Sequence, residues 1–185
     1  MLSKIKFQLR TALASDYGSI KSLINVSVRK LGIADYSLEQ IEAALKSAFG
    51  LDTQLISDQT YFVVESGRSL VGCGGWSYRE TLFGSDSRKG RNSHRINPQT
   101  GTAKIRAFFV DPKFSRMGIG SMIMHECEQQ ALRTGFRKLE LMATLPGVKL
   151  YEKHGFVAKD PFHYPLGANL TIEFVPMYKE ILARG

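Results

Sequence analysis

Cysteine is scarce in this chain of 185 residues: only Cys73 and Cys127 are present. They stand far apart and form no C-x-x-C, which leaves no basis for a disulfide framework or a zinc knuckle. Two reduced thiols in the core are expected instead. Long apolar runs are also missing. No segment approaches the roughly 18 continuous apolar residues of a membrane-spanning helix. The start, Met1-Leu2-Ser3-Lys4-Ile5-Lys6, has none of the apolar core of a signal peptide, so the cytoplasm is the expected location. His94, His125, His154 and His163 show no ligand spacing, and no metal is expected. Acidic residues are in deficit, 17 against 25 Lys and Arg, for a formal charge of +8. Such a chain attracts polyanions: nucleic acid, a membrane surface or a phosphate-rich small molecule.

What is present suits one soluble domain with a sizeable core. Hydrophobic residues make up 43% and charged residues 23%, both ordinary proportions. No repeat and no linker divides residues 1–185. Phe7-Gln8-Leu9-Arg10-Thr11 alternates like a first strand. Ser15 or Asp16 is placed to cap a helix through Ile20, Leu23, Ile24, Val28 and Leu31, which Gly32 stops. Ser37-Leu38-Glu39-Gln40 fits a capping box opening a second helix that ends at Gly50. Tyr61 to Glu65 and Leu70 to Tyr78 read as a hairpin, and the glycines of the second strand suggest a bulge or a close backbone approach. Gly84 to Gly101 is polar and turn-rich, an exposed insertion loop carrying Arg88, Lys89, Arg91 and Arg95. Thr102 to Val110 is the longest strand candidate. A helix from Ile119 to Gly135 follows, then a strand from Lys138 to Ala143. That order implies a parallel βαβ unit. Pro146 suits the first turn of a short helix stopping at Gly155, and Leu170 to Val175 is the last strand. The fold class is α+β: a mixed, mostly antiparallel central sheet with a late βαβ unit and flanking helices.

Gly118 and Gly120 stand where a helix begins. Its first turn has unpaired N–H groups and a partial positive charge, an anion site built from backbone. A Walker loop would need Gly-Lys-Ser/Thr, and the chain has Gly120-Ser121-Met122. A dinucleotide fingerprint would need a third glycine where Ile123 stands, directly after a strand, yet Asp111 to Met117 intervene.

A third pattern fits. Val110-Asp111-Pro112, then Phe114-Ser115-Arg116-Met117-Gly118-Ile119-Gly120-Ser121, resembles the acetyl-CoA signature R/Q-x-x-G-x-G/A of the GNAT superfamily of N-acetyltransferases. Lys138-Leu139-Glu140-Leu141 is similar to the strand after that family's central helix. Leu150-Tyr151-Glu152-Lys153-His154-Gly155-Phe156 is similar to its F/L-Y-E-K-x-G-F element. The resemblance covers nearly the full chain. It departs in two places: Ser115 stands at the R/Q position with Arg116 one place later, and Pro146-Gly147 replaces Asn-Ala, removing a polar contact to the cofactor.

The resemblance implies acetyl-CoA as co-substrate and a GNAT-like fold. Its pantetheine arm would pair with the amides of Phe108, Phe109 and Val110, and Arg116, Met117, Gly118, Ile119, Gly120 and Ser121 would cradle the pyrophosphate. It implies direct transfer of acetyl to a primary amine of a small molecule or peptide, with the Val110 amide as candidate oxyanion donor. Tyr151 would meet the leaving sulfur. A phenol has a pKa of about 10 and a thiol about 8.5, so full proton transfer is slightly uphill. The general base is open, with Glu65, Glu80 or a water chain as candidates. The insertion loop is expected to shape the acceptor site, and Trp76, Tyr78 and His163 are further acceptor candidates. Two other readings remain: a non-catalytic acetyl-CoA-binding domain, and a nucleic-acid-binding module. The loop's cations lack the interleaved aromatics that stack bases, which disfavours the second. A homodimer stays open.

Overall fold

The computed structural model describes residues 5–83, 85–87, 92–167 and 169–182. β1 (Gln8–Thr11) leads through a 3-10 turn into α1 (Tyr17–Leu31). Asp16 precedes α1 but makes no side-chain cap. Its carboxylate instead accepts from the Leu13 amide and binds the Arg10 guanidinium at 2.8 Å, and Arg10 also holds Glu65. α2 (Leu38–Leu45) opens on the expected capping box. Ser37 Oγ accepts from the Gln40 amide at 3.1 Å and Gln40 Oε1 accepts from the Ser37 amide at 2.9 Å. This helix ends at Leu45, short of Gly50. α3 (Thr53–Ser57), capped by Asp52, is too short to leave a periodic signal in the sequence.

β2 (Tyr61–Ser66), β3 (Ser69–Ser77) and β4 (Ala103–Val110) continue an antiparallel meander from β1. α4 (Ile119–Arg133) then crosses to β5 (Lys138–Thr144), which lies parallel to β4. After α5 (Val148–Lys153) come β6 (Val157–Ala158), β7 (Phe162–Gly167) and β8 (Leu170–Glu180). The sheet order is β1-β2-β3-β4-β5-β8-β6, with β7 also on β8. The mixed sheet and late βαβ unit are as expected. β8 runs on to Glu180 rather than stopping at Val175. β6 and β7 were not legible. Pro165 lies within β7, which pairs on one side only, where a missing amide is tolerated.

Each face of the sheet buries its own core, as strand alternation requires. Phe62, Val64 and Trp76 pack with Ile119, Ile123 and Cys127 of α4. Tyr61, Val63 and Cys73 pack with Ile20, Ile24 and Ile41 of α1 and α2. Both cysteines are buried and free. Part of the 84–101 segment joins this core rather than standing in solvent. Ile96 is 9% exposed and its amide bonds the Tyr78 carbonyl at 2.8 Å, while Ser85 is also buried. Gly84, Arg88, Lys89 and Arg91 lie outside the described residues.

Two local features open the sheet. β4 and β5 pair only at Ala103↔Leu139 and Lys104↔Glu140, where the Lys104 ammonium meets the Glu140 carboxylate. Beyond that point β5 stays bonded to β8 through Thr144, and β4 stays bonded to β3 through Val110. The parallel strands therefore part toward their C-terminal ends. On its other edge, β4 carries a bulge. Cys73 faces Phe109 and Gly75 faces Arg106, so two steps of β3 match three of β4. Ala107 lies within the bulge at φ +56, left-handed for a residue with a Cβ. The Tyr61 hydroxyl donates to the Ala107 carbonyl at 2.9 Å and holds it there.

Candidate active site

The gap between β4 and β5 opens into a cleft of about 440 Å³. One wall is the end of β4. The Asp111 amide bonds Val71 of β3 at 2.9 Å, so alternation turns the Val110 amide toward the gap. There it donates to Ser27 Oγ of α1 at 3.3 Å. The amide expected to meet the cofactor's arm is thus already partnered by a side chain. Phe108, Phe109 and Val110 all line the cleft. Phe108 has room because residue 74 is glycine: a Cβ there would stand 2.5 Å from its ring.

The mouth is the start of α4, and its two glycines have different tasks. Gly118 is the N-cap residue at φ +86, which a residue with a Cβ adopts only under strain. It supplies no side-chain cap, and a Cβ added to it would meet nothing within 4 Å. The first turn of α4 lies in the cleft lining. Gly120 serves packing. A Cβ at that position would lie 2.8 Å from Leu150 Cδ2, so glycine lets α5 come close. Arg116, at φ +64, lines the mouth together with Lys149 and Lys153 of α5. Ile119, Gly120 and Ser121 line it as well, whereas Met117 is exposed and outside the lining. Ser121 Oγ lies 3.0 Å from His154 Nε2, and burial lowers the pKa of that imidazole.

The element Leu150 to Phe156 is built to place Tyr151. Gly155 at φ +80 ends α5, its amide bonding the Glu152 carbonyl at 2.9 Å. The Phe156 amide bonds the Tyr151 carbonyl at 3.0 Å, and the two rings pack at 6.0 Å. These two bonds and the ring contact are a Schellman ending, in which glycine takes the left-handed position. Phe108 closes on the same ring from β4 at 6.1 Å. Gly147 leaves room beside it, since a Cβ would stand 3.1 Å from the Tyr151 ring. Tyr151 is 8% exposed and lines the cleft. Burial pushes its pKa well above that of free tyrosine, so it keeps its proton at neutral pH. Among the described residues its hydroxyl has no hydrogen-bond partner.

The remaining candidates lie elsewhere. Trp76 is 2% exposed and its indole N–H donates to Gln130 of α4. Tyr78 packs against Trp76 and carries the Arg79 and Arg95 guanidiniums over its ring. His163 is on β7, 4.0 Å from Glu173. Glu65 is held by Arg10, and Glu80 does not line the cleft. No carboxylate or imidazole occurs among the described lining residues.

Sequence reasoning missed Ser27, Tyr36, Phe49, Lys149 and Lys153, all in the lining. The Tyr36 hydroxyl donates to the Glu173 carbonyl and accepts from the Leu145 amide, both at 2.8 Å, and burial pushes its pKa up to about 12. It ties the chain after α1 to β8 and to the turn before α5. Only the two lysines, Lys149 two places before Tyr151 and Lys153 closing the Tyr-Glu-Lys run, carried a signal, as positive charge near a phosphate site.

The splayed parallel pair, with a helix start at its mouth, is the geometry that family comparison interprets. The model of the acetyltransferase (GNAT) family matches residues 25–156. The chain belongs to this family. No curated protein matches the sequence. Among solved structures, a GCN5-related N-acetyltransferase of Rhodopseudomonas palustris is similar at 17% identity and TM-score 0.70, covering 96% of this chain and 98% of that one. The PaiA N-acetyltransferase of Thermoplasma acidophilum, solved with coenzyme A, is similar at 15% identity and TM-score 0.65, covering 96% and 100%. YncA of Salmonella typhimurium, a putative acetyltransferase solved with acetyl-CoA, is similar at 13% identity and TM-score 0.63, covering 96% and 95%. At these identities the likeness is one of fold. Acetyl-CoA is the co-substrate that belongs to this GNAT fold, and the cleft suits it: a helix start and three cations at the mouth, and a β4 edge that β5 does not pair beyond Lys104. No helix among the described residues is long and apolar enough to cross a membrane.

Proposed function

We propose that this GNAT protein transfers acetyl from acetyl-CoA to a primary amine of a small molecule or peptide, by direct attack in the cleft between β4 and β5. The observation that carries this is Tyr151, a cleft-lining phenol that keeps its proton and spends it on no group among the described residues. A domain that only stored the cofactor would have no use for such a hydroxyl.

Acetyl-CoA supplies an activated acyl group on a thioester. The first-turn amides of α4, with Arg116, Lys149 and Lys153, hold its phosphates. Tyr151 donates a hydrogen bond where the sulfur gains charge. Because burial raises its pKa, this donor stabilises a thiolate without surrendering the proton. The described lining residues offer no carboxylate or imidazole to serve as base, so in this reading the amine's proton leaves through water. The insertion loop contributes to the acceptor side through Asp86 and Ser87. They line a second cavity of about 200 Å³ that shares Phe49 with the cleft. The two buried thiols accord with a reducing cytoplasm.

The test is incubation with acetyl-CoA and a panel of amines, with products detected by mass. An acceptor heavier by one acetyl group in place of a hydrogen is the expected result. Binding of acetyl-CoA with no acetylated product across the panel favours the binding-domain reading.

A further inference from the structure

The contact between Ser27 and Val110 has a consequence for how the cleft holds its ligand. A serine hydroxyl offers one donor and two acceptor positions. The Val110 amide occupies one acceptor position at 3.3 Å. The hydroxyl's own proton is unspent. One outlet for such a proton is the carbonyl four residues back, which Ser47 and Thr134, each just past a helix end, use on Ala43 at 3.1 Å and on Gln130 at 2.8 Å. Ser27 makes no such bond among the described residues. It is 4% exposed and lines the cleft. A buried donor left unmade is costly, and here it faces the gap where β4 has no strand partner.

We propose that Ser27 is a ligand-binding residue: its hydroxyl donates into the cleft to an amide carbonyl of the pantetheine arm of coenzyme A, with the Val110 amide bonded behind it. The proposal rests on the acetyl-CoA reading above. It differs from the strand-like pairing expected from the sequence, in which the Val110 amide meets the arm directly. In the arrangement here the amide acts through the hydroxyl. Donation by Val110 polarises the Ser27 O–H and strengthens its own donation, as in any hydrogen-bonded chain. The arm supplies what the site needs, a neutral carbonyl acceptor; an ammonium or a second donor could not satisfy Ser27.

The two arrangements differ in sign under one substitution. Calorimetric titration of wild type and Ser27→Ala with coenzyme A and with adenosine 3′,5′-bisphosphate, which has no arm, separates them. The relay predicts that Ser27→Ala loosens coenzyme A by about 5-fold, the worth of one neutral hydrogen bond, and leaves the bisphosphate unchanged. Coenzyme A binding that stays put or tightens overturns it, because freeing the Val110 amide would then be neutral or helpful. Equal loosening of both ligands also overturns it, since the effect would be structural. Wild-type protein that binds neither ligand would sink the acetyl-CoA reading itself. An NMR measurement needs no variant: the relay requires a slowly exchanging Ser27 hydroxyl proton that appears when coenzyme A binds. Its absence from the spectrum of a saturated sample refutes the proposal.

Discussion

Replacing Tyr151 by Phe isolates one oxygen. The ring is fixed by three features that the substitution keeps: the Phe156 amide on its carbonyl at 3.0 Å, the Phe156 ring at 6.0 Å and the Phe108 ring at 6.1 Å. The hydroxyl has no protein partner among the described residues, so its loss breaks no bond in the free protein. The melting temperature should therefore stay within about 2 °C, less than the shift that 1 kcal/mol produces in a domain of this size. Acetyl-CoA affinity should stay within about 2-fold, because a thioester sulfur accepts hydrogen bonds weakly and the contact strengthens only as charge develops. The rate should fall. A hydrogen bond to a charged group is worth about 1.5–3 kcal/mol, which is a factor of roughly 10 to 150 in kcat. Full proton transfer would cost more when lost, about 10²-fold to 10⁴-fold. Burial raises the phenol's pKa and makes full transfer less favourable, so the smaller range is expected. The same shift fixes the pH behaviour. The protonated form is the active one and persists above the ordinary tyrosine pKa of about 10, so kcat should not decline between about pH 7 and 10 on account of this group. Single-turnover rapid quench with saturating acetyl-CoA measures the chemical step. A Phe variant that matches wild type there refutes the assignment and leaves Tyr151 as a core aromatic.

Gly118→Ala should destabilise the protein by about 1–2 kcal/mol, the cost of a Cβ at positive φ, and should weaken coenzyme A in titration calorimetry because the α4 amides shift; unchanged affinity would detach Gly118 from the phosphate site. Tyr61→Phe leaves the Ala107 carbonyl without its 2.9 Å donor and should cost about 1–3 kcal/mol in chemical denaturation, with a loss of coenzyme A affinity as the bulge relaxes. His154 gives a pH signature. Its folded pKa lies below the ordinary 6.5, chiefly through burial, with Lys179, Lys153 and His125 lowering it further and Glu128 opposing them. As pH falls below about 6.5, the unfolded chain takes up a proton that the folded chain resists, so stability is full above that pH and declines below it. His154→Gln should shrink the stability difference between pH 7.5 and pH 5 measured by urea denaturation, and an unaltered difference would contradict the burial of that ring.

Most of the architecture was legible because it is written in periodicity and in terminators. The Ser37–Gln40 box, Pro146 in the first turn before α5 and Gly155 at its end are local signals with local causes. So is the pairing of Gly155 with Phe156, which with Tyr151 forms one Schellman ending. What could not be read depends on register between distant segments. The parting of β4 from β5 after Lys104 is a fact about hydrogen bonds that no single strand encodes. The different tasks of Gly118 and Gly120 depend on where Leu150 arrives, which the sequence does not say. Ser27 looks like any serine on a helix until Val110 is seen beside it. Trp76 was the reverse case, an aromatic whose chemistry suggested a substrate surface. Strand alternation already placed it on the face opposite Cys73 and Gly75, and α4 covers that face.

The bulge in β4 connects these observations. A regular β4 would carry its alternation unbroken from Arg106 to Val110. One inserted residue reverses that alternation, so side chains after Ala107 face opposite to where a regular strand would send them. Phe108 consequently reaches Tyr151, and the Phe109 ring packs on Phe49 instead, at 6.3 Å. The price is a left-handed alanine at φ +56, offset by the Tyr61 hydroxyl. The bend also turns the Val110 amide toward α1, where the short Ser27 side chain accepts from it at the cleft wall. Strain at Ala107, the glycine beneath Phe108 and the hydroxyl at Ser27 are thus parts of one arrangement. Each is unfavourable or neutral for folding alone, and each becomes intelligible once a ligand with its own amide groups lies where β4 and β5 no longer meet.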